Sequence, residues 1–528
     1  MEKIIIIGSR GSDLALWQAN YLQAELAKLN LKSEIRIIKT QGDKIQHLSL
    51  EKLEGKGFFT KEIEDALLDG SIDLAVHSHK DLPTENTPGL IIGGVSYRED
   101  PSELILIRKE CVDELKEFHL KENVTVGTSS SRRNVQLKFF RPDIICEDIR
   151  GNVPTRIDKL RNGDYNAIVL AFAGVNRLNL NTGDLHVVKI PPTKIIPAPA
   201  QGVLAFQCRK DDDKIVDILK KINNKEVATI IAVERKIMNL FNGGCHMPLG
   251  AYCKKDKDGF EVWAAQADMK DGSLRRIYKK HNNSDSLAEK IFYQLNTSRD
   301  KNVFISTPPS DSEGYIKILK NSGFKTEACS FVKIERIHIE HLPASNWLFF
   351  TSKNGAIHFF SQISKLAPGI NIAAIGNETA NTILSFGHKV DFIGEGGNLS
   401  IAKSFHFLAA GQKILFPGAL NRSAEIINLL ERKCKVITLD VYKNAPFHAK
   451  KINADILVFT SPLNVEGFLL GNKIDDWQTI IAIGSTTAAH LNKAGFKKVL
   501  IPPHRSLLSV AEYICGIQNE DAIVEGAN

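Results

Sequence analysis

Short apolar runs alternate with helix-like stretches along almost the whole chain, and this alternation restricts the possible folds more than any other feature. Ile4–Ile7 precedes the stretch Leu14–Leu29, Ile72–Val76 follows Lys61–Leu68, and Ala167–Leu170 precedes Gly174–Leu178. Strands interleaved with helices build α/β domains with mainly parallel sheets. The chain has 528 residues, and at about 100–200 residues per domain it should hold three to five. Its 43% hydrophobic and 24% charged residues supply several cores and argue against disorder.

Other classes are excluded on composition. The net charge of +7, from 68 basic and 61 acidic residues, lacks the concentrated excess of a nucleic-acid binder. The eight cysteines are scattered without a C-x-x-C, so neither a disulfide framework nor a zinc ribbon is indicated. Four isoleucines at the start are too few for a signal-peptide core, and no run approaches about 18 apolar residues. A reduced, soluble, cytoplasmic protein is expected, with no nucleic-acid or membrane partner.

The proline-rich segment Ile190–Gly202 cannot be a helix and reads as a rigid crossover between domains. Glu261–Ala267 and Leu274–Lys279 look like a hairpin in a small α+β unit, and the polar stretch Asn296–Asn302 like a linker. Beyond it lies an internal repeat. IAAIGNETANTILSFGHKV, with Gly376, matches IIAIGSTTAAHLNKAGFKKV, with Gly484, at an offset of 108. Upstream, FFTSKN matches VFTSPLN and sets Thr351 opposite Thr460. Two such α/β lobes would form a cleft lined by turns at the carboxyl ends of strands. Simple duplication explains the strands and closing glycines, but the paired FTS turns less easily.

Three clusters could carry chemistry. His77–Pro83 (HSHKDLP) follows an apolar strand, a position where catalytic groups gather. Asp81 beside Lys80 could act as an acid/base or as counter-ion to a developing positive charge; alone it would read as a solvated turn residue. His77 and His79 would share a strand face, which raises a metal site, but no third ligand is near and none is assigned. Second, Arg10 with Ser12, Arg132, Arg133, Arg150, Arg156 and Arg177 all stand where an apolar strand runs through a turn into a helix. One such arginine usually makes a surface ion pair. Six across two lobes point to a polyanionic small molecule, carboxylate or phosphate, and no Walker motif is present. Third, Cys245 follows Asn242-Gly243-Gly244 at a helix end, where glycines leave a thiol approachable for covalent attachment. A buried structural cysteine, or a zinc site from Cys208, Cys245, His246 and Cys253, are the competing readings.

Together these clusters resemble the porphobilinogen deaminase (hydroxymethylbilane synthase) family. SRGSDLALWQA, KGFFTKEIE, DLAVHSHKDLP, VGTSSSRR, IRGNVPTR, AFAGVNRL, PAPAQG and GGCHMPLG occur in the family's order over about residues 1–300. The resemblance implies two periplasmic-binding-protein-like α/β domains (1–98 with 196–216, and 99–195) and a small α+β domain (217–297). It implies a dipyrromethane cofactor on Cys245 through a thioether, and Asp81 with Lys80 at the step that releases ammonia from porphobilinogen. Ser12, Ser130, Arg132, Arg133, Arg150 and Arg156 would bind cofactor carboxylates, and Arg10, Gln18 and Arg177 those of substrate. The sequence departs from the family's usual pattern at Ser131, Pro154, Ala200 and His246-Met247, none of which removes a charged or covalent group.

Residues 301–528 resemble the uroporphyrinogen III synthase family through FTSKNGAIHFF, AIGNETANTILSFG, VYKNAP, VFTSPLNVEGF and AIGSTTAAHL. That family's two α/β lobes, joined by a thin two-stranded connection, would be 303–337 with 445–526, and 340–443. Hydroxymethylbilane would be closed into uroporphyrinogen III with loss of water. Tyr442 would be the acid for the departing hydroxyl, with a packed linker tyrosine as the competing reading. Thr351, Ser352, Ser461, Ser485 and Thr487 would donate to propionates. The expectation is a monomeric bifunctional enzyme. Its rivals are a deaminase with a degenerate C-terminal module and a two-lobed anion-binding protein; the Gly-Gly-Cys loop counts against the latter.

Overall fold

The computed structural model describes residues 4–40, 60–242, 247–268 and 272–517. They divide into two compact units: one takes the described residues of 1–300 with 313–325 and 503–517, the other 301–312 with 326–502.

The first unit contains two five-stranded sheets of the same design. In one, the order is Ser33–Ile37, Ile5–Ser9, Leu74–Ser78, Leu204–Arg209, Leu90–Val95. The first three strands are parallel, and Leu204–Arg209 returns antiparallel between Leu74–Ser78 and Leu90–Val95. In the other, the order is Ile145–Glu147, Thr125–Gly127, Ala167–Ala171, Glu103–Ile107, His186–Ile190, again three parallel strands and an antiparallel return. Leu104–Ile107 and Leu74–Val76 are buried at every residue, which is why they read as unbroken apolar runs rather than alternating ones.

The chain crosses between these sheets twice, and the crossovers lie side by side. Ser96 N–H donates to Leu204 O at 3.1 Å, and Glu99 N–H to Gly202 O at 3.0 Å. Gly202 has φ 87°, and a Cβ there would overlap the Glu99 carbonyl. Ala200, where the family commonly has glycine, sits at φ 61° with its side chain fully buried. A left-handed alanine costs roughly 1–2 kcal/mol, so the departure lies at a strained position.

A three-stranded antiparallel sheet follows: Leu249–Asp256, Gly259–Ala267 and Leu274–His281, the last two forming the expected hairpin. The helix Lys225–Leu240 enters this part and ends just before the Cys245 segment, which lies outside the described residues.

The second unit has two mainly parallel sheets. One runs Lys325–Ala328, Asn302–Ile305, Ile456–Phe459, Thr479–Ala482, Val499–Leu500; the other runs Val332–Arg336, Lys435–Pro446, Lys413–Ala419, Trp347–Phe350, Asn371–Ala374, Phe392–Ile393. The ribbon Val332–Arg336/Lys435–Pro446 is antiparallel, and the lobe boundary expected near 337–340 follows it. Phenylalanines fill both cores: Phe349, Phe405 and Phe416 in one, Phe304, Phe459 and Phe468 in the other.

Candidate functional site

Asp81 lies on a short turn, His79–Asp81, directly after the strand Leu74–Ser78. The carboxylate faces solvent, while Leu82 next to it is buried. Arg235, on the helix Lys225–Leu240, grips the turn by its backbone, donating to the carbonyls of His79 (3.3 Å), Leu82 (2.9 Å) and Pro83. On the other side Gln18 donates to Ser78 Oγ at 2.9 Å. His77 and His79 point into the protein. His77 pairs with Gln207 at 3.1 Å. Burial holds His77 at about 4, and burial, with the charges of Arg235 and His77, holds His79 at about 3. Both are neutral framework residues at pH 7. Among the described residues no group of three or more His, Cys, Asp or Glu is arranged to hold a metal ion.

From the side of the second sheet, Arg156 lies close to Asp81. Burial lowers the Lys80 pKa, against the attraction of Asp81. Arg156 is lowered to about 10 by burial and by the charges of Arg133 and Arg150, with Asp81 opposing. Asp81, Arg133 and Arg150 are therefore each close enough to act on Arg156. Arg133 Nε and Arg150 Nη2 are buried without a hydrogen-bond partner among the described residues. Orphaned guanidinium N–H groups crowded by like charge call for acceptors carrying negative charge, and each such bond contributes about 1.5–3 kcal/mol. This donor set fits the carboxylates of a dipyrromethane.

The predicted arginines do not all stand alike. Arg132 donates to Glu103 Oε1 at 2.7 Å and to Ile196 O at 2.9 Å, and is 6% exposed. Arg133 donates to Glu103 Oε2 at 2.7 Å and to Val169 O at 3.1 Å, leaving Nε. Burial alone would raise Glu103, but Arg133 and Arg132 outweigh it and hold the carboxylate at about 2. Arg177 donates to Gly202 O at 2.6 Å and lies over the Trp17 ring, so it joins the crossovers. Arg10 is half-buried after the first strand. Ser12 occupies the N-cap position of the helix Asp13–Lys28 with no capping bond from its hydroxyl, whereas Ser130 caps the helix Ser131–Phe140 at Arg133 N. Cys208 and Cys253 are buried thiols whose pKa values burial raises.

Glu103, Arg235 and Glu234 do not stand out in the sequence. Glu234, fully buried, accepts from Arg98 (2.6 Å), Ala200 N (2.7 Å) and Cys253 N (2.7 Å), tying the third sheet to the crossover. The signals that could have revealed them are an acidic residue heading an apolar strand, Glu103, and the adjacent pair Glu234-Arg235 inside a helix.

In the second unit the two FTS serines have one local role. Ser352 Oγ accepts from Gly355 N at 3.1 Å, and Ser461 Oγ from Asn464 N at 3.3 Å, each capping a helix that follows a buried strand. A capping hydroxyl accepts and so keeps its own proton to donate. Thr351 is half-buried, Ser485 is exposed, and Thr487 is buried in the helix Ser485–Lys493. Tyr442 is buried in the ribbon, its hydroxyl 3.3 Å from Ser352 Oγ and its ring stacked on His358. Lys353, not singled out from the sequence, lies 2.9 Å from Asp311 and 3.1 Å from Glu378.

Residues 5–217 match the family described as porphobilinogen deaminase, dipyromethane cofactor binding domain. A porphobilinogen deaminase from a Nitratiruptor species is 42% identical over 269 residues, 51% of this chain and 84% of that protein. The chain belongs to the porphobilinogen deaminase family. A second porphobilinogen deaminase, from Fusobacterium nucleatum subsp. nucleatum, is 44% identical over 51% of this chain and 89% of that protein. Residues 313–511 match uroporphyrinogen-III synthase HemD. A solved uroporphyrinogen-III synthetase from Helicobacter pylori 26695 is 22% identical, with a TM-score of 0.32, over 40% of this chain and 97% of that one. The protein is thus a bifunctional enzyme of tetrapyrrole biosynthesis, joining a dipyrromethane-dependent hydroxymethylbilane synthase to a uroporphyrinogen III synthase. Four porphobilinogens are polymerised with release of ammonia, and the product is cyclised with loss of water. Among the described residues no helix is long and apolar enough to cross a membrane.

Proposed function

We propose that Asp81 is the catalytic carboxylate of the deaminase and that Arg133, Arg150 and Arg156, with Arg10, hold the carboxylates of cofactor and growing chain. What carries this reading is that Asp81, Arg133 and Arg150 all lie close to Arg156, and that Arg133 and Arg150 have buried N–H groups in need of acceptors. Porphobilinogen leaves positive charge on its pyrrole when ammonia departs. Asp81, solvent-facing on a turn whose flanking carbonyls Arg235 holds, is placed to stabilise that charge, and Lys80 beside it neutralises an incoming carboxylate. Arg132 acts at one remove, sharing Glu103 with Arg133 so that Arg133 stays oriented. Gln18, Ser12 and Ser130 position the turns, and Arg177 steadies the crossover. Dipyrromethane, when bound through Cys245, supplies the attachment point for the growing chain.

In the synthase, Tyr442 gives its proton to the departing hydroxyl, and Ser352 orients it. Thr351, Ser461, Ser485 and Thr487 stand at helix starts where anions are favoured. The protein acts as a monomer in the cytoplasm in this reading, with three deaminase and two synthase domains, residues 313–325 and 503–517 grouping with the first unit.

Asp81→Asn tests the assignment. Turnover of porphobilinogen should fall about 10²–10⁴-fold, while intact mass still shows the cofactor adduct, which Cys245→Ser should lose. Near-normal turnover in Asp81→Asn would remove Asp81 from its role.

A further inference from the structure

The sheet that follows the crossover has the strand Leu274–His281 at one edge. An open edge presents unpaired backbone groups and invites association, yet this one is covered. Two segments distant in sequence lie along it, the helices Glu313–Asn321 and Leu507–Gly516, both within the first unit. Asn321 Nδ2 donates to Leu274 O at 2.8 Å, and Arg275 Nε donates to Asn321 O at 2.9 Å. Lys279 Nζ donates to Gly516 O at 3.0 Å, as does Gln294 Nε2 at 3.1 Å. Gly516 packs so closely on the strand that a Cβ there would overlap the Tyr278 carbonyl. Tyr513 stacks on Tyr278, and His504 on Trp263.

At the centre is Arg276, with no exposed surface. Its Nε donates to Glu512 at 2.6 Å, its Nη1 to Gln136 Oε1 at 3.1 Å and Lys194 O at 3.0 Å, and its Nη2 to Thr193 O at 2.9 Å. Glu512 is 2% exposed. Gln136 belongs to the helix Ser131–Phe140, which carries Arg132 and Arg133 in its first turn. One guanidinium therefore joins the third sheet, the crossover, the arginine-bearing helix and the last described helix of the chain. A buried charge that loses its partner costs more than the pair itself contributes, so removing Glu512 leaves the buried Arg276 guanidinium without its counter-charge. Glu512 and Gly516 lie beyond the residues matched to either family, which end at 217 and 511.

We propose that residues 313–325 and 503–517 are a built-in docking element that closes the edge of the deaminase's third sheet, with Glu512 as the counter-charge Arg276 requires. The deaminase part of this chain then depends for its stability on residues more than two hundred positions downstream.

The test uses the full-length chain carrying Glu512→Leu, Arg276→Met, both together, and Gly516→Leu. Thermal unfolding and hydrogen exchange of residues 274–281 and 507–516 are measured. Glu512→Leu and Gly516→Leu should each lower the unfolding midpoint of the deaminase by about 5 °C or more and speed exchange of both segments about tenfold or more. Adding Arg276→Met to Glu512→Leu should recover at least half of both changes, since no uncompensated charge remains. If Glu512→Leu yields no soluble protein, a soluble double variant supports the proposal. Unchanged midpoint and exchange in both single variants, or a double variant no better than Glu512→Leu, would overturn it.

Discussion

His77 and His79 illustrate how burial decides a residue's chemistry. Their spacing in the sequence suits a shared ligand face, but each is enclosed in the first unit, and desolvation keeps both neutral, at about 4 and about 3. The unfolded chain, at the ordinary value of 6.5, takes up protons that the folded state refuses. Stability is therefore full above pH 6.5 and is lost as pH falls towards 4. Between pH 7 and pH 5 each histidine should withdraw on the order of 2 kcal/mol. Urea midpoints measured at the two pH values should differ accordingly, and His77→Gln should flatten the dependence. An unchanged slope would show that His77 is not excluded from protonation. Glu103 works at lower pH. Held down at about 2, it contributes stability above its unfolded value of 4.5 that is lost as pH falls through 2.

At the scale of elements, the turn His79–Asp81 and the helix Lys225–Leu240 act as a pair. The helix fastens the turn through Arg235 and ends at Leu240, five positions before Cys245 in the sequence. Arg235→Met removes three carbonyl contacts without touching substrate. It should lower kcat about 10–100-fold, as small misplacements do, with KM little changed and partial recovery in Arg235→Lys. A rise in KM at normal kcat would instead make Arg235 a binding residue. Both segments are visible in the sequence as motifs, but that they meet is not, since 153 residues separate Leu82 from Arg235. The repeated FTS turns are the reverse case. Their pairing is legible as a repeat, and local capping by Ser352 and Ser461 supplies the reason.

For the whole molecule, periodicity and motif order are enough to read α/β architecture, the crossover and the succession of two enzymes. What they do not convey are pairings made across long stretches of chain. The sharing of Glu103 by Arg132 and Arg133 depends on how a strand and a helix pack. A division near residue 300 is natural in sequence, yet 313–325 and 503–517 group with the N-terminal unit because Arg276 and an edge strand need covering. Covalent connection of the two activities has its own rationale, since hydroxymethylbilane closes spontaneously to the wrong isomer and a tether raises the local concentration of the second site. If one chain performs both steps in sequence, porphobilinogen alone is sufficient substrate for the complete conversion. Incubating the full-length protein with porphobilinogen and separating the ring isomers tests this directly. Uroporphyrinogen III should predominate, and Tyr442→Phe should shift the product towards the type I ring. Formation of the type I ring alone by the unaltered protein would contradict it.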